Sequence, residues 1–99
     1  MFEMNYTPKR TVCKVTFRIP DEWAQDEAAI AGDFNDWDPE EHKMEKKDDV
    51  WETTVRLKPE TEYVFKYLLD GERWENDQEA HDYVSNEFGT KDSVVVTGK

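Results

Sequence analysis

Recognition chemistry in this chain rests on a few side chains set at turns and on one strand. Trp37 ends the stretch Ala31-Gly32-Asp33-Phe34-Asn35-Asp36-Trp37 and runs into Asp38-Pro39, so it belongs to a loop punctuated by Gly and Pro. Trp74 follows shortly after Asp70-Gly71, a strong tight-turn signal. An indole in such a place either closes the edge of a core or presents its electron-rich face to a ligand. Lys66, in Tyr63-Val64-Phe65-Lys66-Tyr67, is a lone cation in an apolar run. Its four-carbon stem can lie along neighbouring side chains while the ammonium offers three donors at the surface.

Bond-making chemistry is less well served. Twenty-four carboxylates guarantee accidental Asp/Glu pairs, but glycoside hydrolysis needs two of them held across one bond in a cleft, and a chain this short has little room for one. There is no G-x-S-x-G, and no serine or cysteine nucleophile with an evident His base. His42 and His81 lie in charged stretches and read as solvated surface residues. Asp33, Asn35, Asp36 and Asp38 could suggest calcium, yet the EF-hand order with its central Gly and distal Glu is missing. No catalysis, no metal and no cofactor are expected.

The elements that must position these side chains are strands. From Thr11 to Ile19, Cys13, Val15, Phe17 and Ile19 alternate with Lys14, Thr16 and Arg18, as in a half-buried antiparallel strand. Cys13 is then a core residue, and a single cysteine excludes an internal disulfide. Pro20-Asp21-Glu22 stops this strand, a polar connection with a helical turn follows, and Ala28 to Ala31 forms a short strand entering the Trp37 loop. Asp38 to Asp49 is charged throughout, with Met44 dipping inward. Val50 to Leu57 turns Trp51, Thr53, Val55 and Leu57 to one side, and Lys58-Pro59-Glu60-Thr61 makes a hairpin connection. Glu62 to Asp70 then puts Tyr63, Phe65, Tyr67 and Leu69 on one face and Val64, Lys66 and Leu68 on the other. Glu72 to Glu75 is a short return strand, Asn76 to Phe88 is irregular, and Asp92 to Thr97 closes the sheet. Trp23 and Trp51 are the tryptophans assigned to packing. The expected fold is all-β, an immunoglobulin-like β-sandwich of about six to eight antiparallel strands over residues 11–99, preceded by a flexible N-terminal arm over residues 1–10.

Ninety-nine residues make one small domain with a single core. Hydrophobic residues are only 36% and charged residues 37%, with a net charge of -11. That balance would suggest disorder were it not for the regular alternation and 13% aromatics. The acidic excess repels phosphate backbones and anionic lipid, so neither nucleic acid nor membrane is an expected partner. Met1-Phe2-Glu3-Met4-Asn5 lacks the basic start and apolar stretch of a signal peptide, which makes the cytoplasm the expected compartment.

Four motifs in order, Gly32-Asp33-Phe34-Asn35-Asp36-Trp37, Tyr63-Val64-Phe65-Lys66-Tyr67, Asp70-Gly71-Glu72-Arg73-Trp74 and Phe88-Gly89-Thr90-Lys91-Asp92, resemble the glycogen-binding modules of carbohydrate-binding module family 48. That family includes the module of the beta subunit of AMP-activated protein kinase and the early-set domain at the N-terminus of isoamylases and branching enzymes. The resemblance spans roughly Val12 to Thr97. It implies an early-set sandwich that binds α-1,4-glucan (glycogen, starch or malto-oligosaccharide) without catalysis. It further implies that Trp37 and Trp74 stack on glucose rings and Lys66 hydrogen-bonds sugar hydroxyls, with Phe88, Thr90 and Asp92 on the flanking loop. Glycogen binders place an asparagine where this chain has Asp92, which keeps an acceptor and loses the amide donors. The chemistry agrees: the C–H array of a glucose ring complements an indole face. The acid residues Asp33, Asp36, Asp38, Glu75 and Asp77 are expected around the site, where they tolerate a neutral sugar and disfavour a phosphorylated one. The alternative is a protein-interaction or regulatory early-set domain, the accessory of a glucan-metabolising enzyme or a kinase-like partner, with weak or no sugar binding.

Overall fold

Alternating apolar residues leave one face of each strand needing cover, and two sheets supply it for one another. The computed structural model describes residues 2–9 and 11–98. In chain order its strands are β1 (Phe2–Tyr6), β2 (Cys13–Pro20), β3 (Ala28–Gly32), β4 (Glu45–Lys47), β5 (Val50–Leu57), β6 (Glu62–Leu69), β7 (Arg73–Glu75), β8 (Asp82–Ser85) and β9 (Lys91–Val96). One sheet has the order β1-β2-β5-β4 and the other β3-β6-β9-β8, with β7 also pairing β6. All pairings between these strands are antiparallel. The fold is an all-β sandwich of the early-set, immunoglobulin-like kind. Among the described residues no helix is long and apolar enough to cross a membrane.

The inward faces meet in an aromatic cluster. Phe17 on β2 lies 5.1 Å from Phe65 on β6, ring centre to ring centre, and Phe65 lies 5.6 Å from Tyr67, edge to face. Val15, Ile19, Val55, Leu57, Ile30, Leu69 and Val95 complete the core, and Met44 does dip inward. Cys13 is fully buried, and burial pushes its thiol up, which suits a packing residue and not a nucleophile. Trp51 is buried with its Nε1 donating to the carbonyls of Asp21 and Ala24 at 3.4 and 3.3 Å, while Trp23 packs against the rim of the core.

Six strands lie where the sequence places them, within a residue or two at their ends: β2, β5 and β6 by alternation, β3 and β9 by short apolar runs, and β7 after the Asp70-Gly71 turn. Three more appear. The expected N-terminal arm is, over Phe2–Tyr6, edge strand β1, with Phe2, Met4 and Tyr6 half-buried against the core. Met1 and Arg10 of that arm, and Lys99 at the other end, lie outside the described residues. β4 and β8 are exposed along their whole length and are held by backbone ladders to β5 and β9, so their side chains carry no signal of a strand.

The turn after Leu69 has Asp70 and Gly71 both in the left-handed region, φ 53° and 67°, and the Glu72 N–H closes it on the Leu69 carbonyl at 3.1 Å before Arg73 pairs with Leu69. Asp70 also organises the loop before β3. Its carboxylate accepts from the backbone N–H groups of Asp26, Gln25 and Glu27 at 2.7 to 3.1 Å, and these bonds hold its pKa below the usual value.

Two outcomes follow from this packing. Trp51→Ala is expected to lower unfolding free energy by about 3–5 kcal/mol in chemical denaturation, through cavity formation and loss of the indole's two acceptors. Because the folded pKa of Asp70 is depressed, its contribution is present above the unfolded carboxylate value, about 3.9. It is lost as pH falls through the lower folded value. Asp70→Asn, which tolerates the left-handed backbone, is therefore expected to melt below the parent at pH 7 and to converge with it in melts taken well below pH 4.

Candidate functional site

The Trp37 loop is built from its first residue. At Gly32 the strand passes so close to β6 that a Cβ would overlap the Val64 carbonyl oxygen and lie 2.8 Å from the Phe65 Cβ. The 3₁₀ turn Asp33–Asn35 follows, and its side chains replace the sheet bonds that β3 gives up. Asp33 accepts from the Val64 N–H through Oδ2 at 2.9 Å and from the Trp37 Nε1–H through Oδ1 at 3.2 Å. Asn35 accepts from the Gly32 N–H at 3.0 Å and donates to the Ile30 carbonyl at 3.1 Å and to His42 Nδ1 at 3.0 Å. Phe34 points into the sandwich beside Phe17, Tyr63 and His42. Asp36 and Trp37 then both take left-handed backbone, φ 55° and 59°. For a residue as bulky as Trp this is unusual, and it persists only where the surroundings over-determine it. Here the Trp37 N–H bonds the Gly32 carbonyl at 2.9 Å and the Asp38 N–H bonds the Asn35 carbonyl at 3.1 Å. The loop packs a half-buried Phe34 against the core and holds Trp37 outward, 36% exposed.

On the outward face of β6, Lys66 lies opposite Ala31 and Leu68 lies opposite Trp74 of β7. Trp74 is 44% exposed. The Lys66 Nζ lies 3.3 Å from Asp92 Oδ1 and donates to Thr90 Oγ1 at 3.4 Å. These two charged side chains are only 14% and 15% exposed, so the pair sits in the floor of the face.

Asn86 holds the loop before β9. Its Oδ1 accepts from the N–H groups of Phe88 and Thr90 at 2.9 and 3.2 Å, and its Nδ2 donates to Thr90 Oγ1 at 2.8 Å and to Asp92 Oδ1 at 2.9 Å. The wrap presents Phe88 to solvent, 82% exposed.

These parts enclose one open groove of 1030 Å³. Trp37, Lys66, Trp74, Phe88, Thr90 and Asp92, the six residues named from sequence, all line it. Asp33, Val64, Val84, Asn86 and Glu87 line it as well. Of these, the sequence reading names Asp33 and Val64 and passes over Val84, Asn86 and Glu87, and Asn86 is the one that builds the loop. Its signal was present in Asn86-Glu87-Phe88-Gly89, an Asn three residues before a turn glycine, with Gly89 at φ 80°. A smaller hollow of 190 Å³ beside Pro39, Lys43 and Leu68 has no aromatic wall.

Three expectations about polar residues are corrected. Asp77 does not flank the groove: it is fully buried and accepts from the Tyr67 hydroxyl at 2.6 Å. Burial first, then the nearby carboxylate, push the Tyr67 phenol well up. Asp36, Asp38 and Glu75 are not among the groove's lining residues. Neither histidine is merely solvated. His42 serves the Asn35 amide, and His81 accepts from the Val96 N–H at 2.8 Å with its ring edge-on to Phe2.

The geometry can bind flat apolar surfaces between hydroxyl-sized polar contacts. Asn86→Ala is expected to speed amide hydrogen exchange at Phe88 and Thr90 by about tenfold, the loss of roughly one hydrogen bond each, while core amides such as Val55 and Val95 keep their protection.

A family model described as carbohydrate-binding module 48 (isoamylase N-terminal domain) matches residues 2–89. The matched stretch stops before Thr90 and Asp92. No curated protein matches the chain.

Proposed function

The chain belongs to the carbohydrate-binding module 48 family, and from that premise we propose that it is a non-catalytic module that binds α-1,4-glucan in the groove between Trp37 and Trp74. The observation that carries this reading is that two exposed indoles and a lysine–aspartate pair share one open groove. Indole faces take the C–H surface of glucose rings, and hydroxyls exchange bonds with Lys66, Thr90 and Asp92. The backbones that carry both platforms are held in place. Trp37 is fixed by its Nε1 bond to Asp33 and by two backbone bonds, and Trp74 stands on a strand, so little side-chain entropy is lost when a sugar stacks. An open groove without a deep cleft suits a chain ligand held at several rings and does not suit bond cleavage.

A shallow stacking site of this kind is expected to bind malto-oligosaccharides with Kd of about 10 µM to 1 mM. Calorimetric titration of maltoheptaose against cellohexaose tests this, with the α-linked chain expected to bind and the straight β-linked one not. Equal binding of both, or of neither, returns the protein-docking alternative. Trp37→Gly separates stacking from folding. It removes the platform and relaxes the left-handed backbone, so it is expected to weaken maltoheptaose binding by about 1–3 kcal/mol, as for bases stacked on aromatics, with little loss of melting temperature. Trp74→Ala should weaken binding to a similar degree.

A further inference from the structure

We propose that this groove accepts glucan bearing only hydroxyls and discriminates against glucan phosphate monoesters, with Asp92 as the specificity-determining residue. The inference rests on the glucan reading of the groove. A phosphate monoester carries close to two negative charges near neutral pH and is held by unpaired Arg or Lys side chains or by a nest of backbone N–H groups. Both devices are present in the groove, and both are already occupied.

Lys66 is the sole cation among the groove's described lining residues. It is committed to Asp92 at 3.3 Å and Thr90 at 3.4 Å, in a position where both charged side chains are mostly covered. Asn86 reinforces this by donating to the same Asp92 oxygen at 2.9 Å, which fixes the carboxylate toward the ammonium. The loop amides that would form an anion nest, those of Phe88 and Thr90, are taken by Asn86 Oδ1. Arg73, next to Trp74 in the chain, donates to the Trp23 carbonyl at 2.7 Å and lies 3.6 Å from Glu75. The lining carboxylates are Asp33, Glu87 and Asp92 against the one ammonium of Lys66, and since Asp92 pairs with that ammonium, Asp33 and Glu87 are left unbalanced. A hydroxyl can donate to such carboxylates, whereas a phosphate dianion can only be repelled. The discriminating charges are thus Asp33, Glu87 and Asp92, and not Asp36, Asp38, Glu75 or Asp77.

The test is calorimetric titration with maltoheptaose and with maltoheptaose carrying one 6-phosphate, at about 20 mM and about 1 M salt. At low salt the parent is expected to bind the phosphorylated chain about tenfold more weakly than the neutral one, and the gap is expected to close at high salt, where screening acts over roughly 3 Å. Asp92→Asn removes one charge and frees Lys66, so it should narrow the low-salt ratio most. Glu87→Gln should narrow it less, by charge alone. The ratio within each variant is the readout, so a change in neutral affinity does not confuse it. Equal or tighter binding of the phosphorylated chain by the parent overturns the proposal. So does a gap that survives high salt and Asp92→Asn, since exclusion would then be steric. If neither chain binds the parent, the glucan reading itself falls and this inference falls with it.

Discussion

The Trp37 wall of the binding face depends on how closely β3 approaches β6 at Gly32. A Cβ there would overlap the carbonyl of Val64, so the chain can only pass with glycine. Beyond that point β3 can no longer pair as a strand, and Asp33 takes over by accepting from the Val64 N–H. The same aspartate holds the Trp37 indole. One contact therefore fixes the end of a strand, the start of a 3₁₀ turn and the direction of an exposed tryptophan. The left-handed backbone at Asp36 and Trp37 is the local cost of that arrangement, offset by the bonds of Asn35 and by the half-buried ring of Phe34 packed against the core.

The far side of the groove is fixed by a different device. The loop before β9 has no core residue of its own to anchor it, and Asn86 binds it from within, satisfying two N–H groups, one hydroxyl and one carboxylate with a single amide. Beneath it, Asp77 ties the preceding segment to the core through the Tyr67 hydroxyl, and its backbone N–H donates to Ser93 Oγ on β9 at 2.9 Å. Tyr83 of β8 adds a bond from its hydroxyl to the Asp77 carbonyl at 2.6 Å. Buried polar groups are tolerated there because each is paired. The segment 76–90, with only the short strand β8 inside it, is thereby tied to the core and to β9 on the way to Phe88 and Thr90.

Between these two walls lies a floor of unusual character for a strongly acidic chain, a mostly covered lysine–aspartate pair. Its location makes the charge pattern of the groove differ from that of the protein as a whole. Net charge says only that anionic surfaces are repelled. Which carboxylates a ligand meets, and whether the cation among them is available, depends on the register that places Val84 opposite Asp92 and Ala31 opposite Lys66.

The sequence by itself determined six strands: β2, β5 and β6 by alternation, because an inward residue must be apolar wherever one sheet face is covered, β3 and β9 by short apolar runs, and β7 by the turn before it. It determined the hairpin at Asp70-Gly71, whose left-handed backbone demands those residue types, and the four-motif resemblance that names Trp37, Lys66, Trp74, Phe88, Thr90 and Asp92. Only the tertiary structure decided the rest. β4 and β8 are joined through their backbones with exposed side chains, and β1 alternates over only five residues with its inward side chains half-buried, so none declared itself as a core strand does. Asp77 looks like any other carboxylate until the fold buries it under Tyr67, and His42 like any surface histidine until Asn35 turns to it. The groove is likewise a tertiary fact. Residues 37, 66, 74 and 86–92 become neighbours because β6 pairs with β3 on one edge and with β7 and β9 on the other, and that pairing is set by the whole core, not by any local stretch of chain.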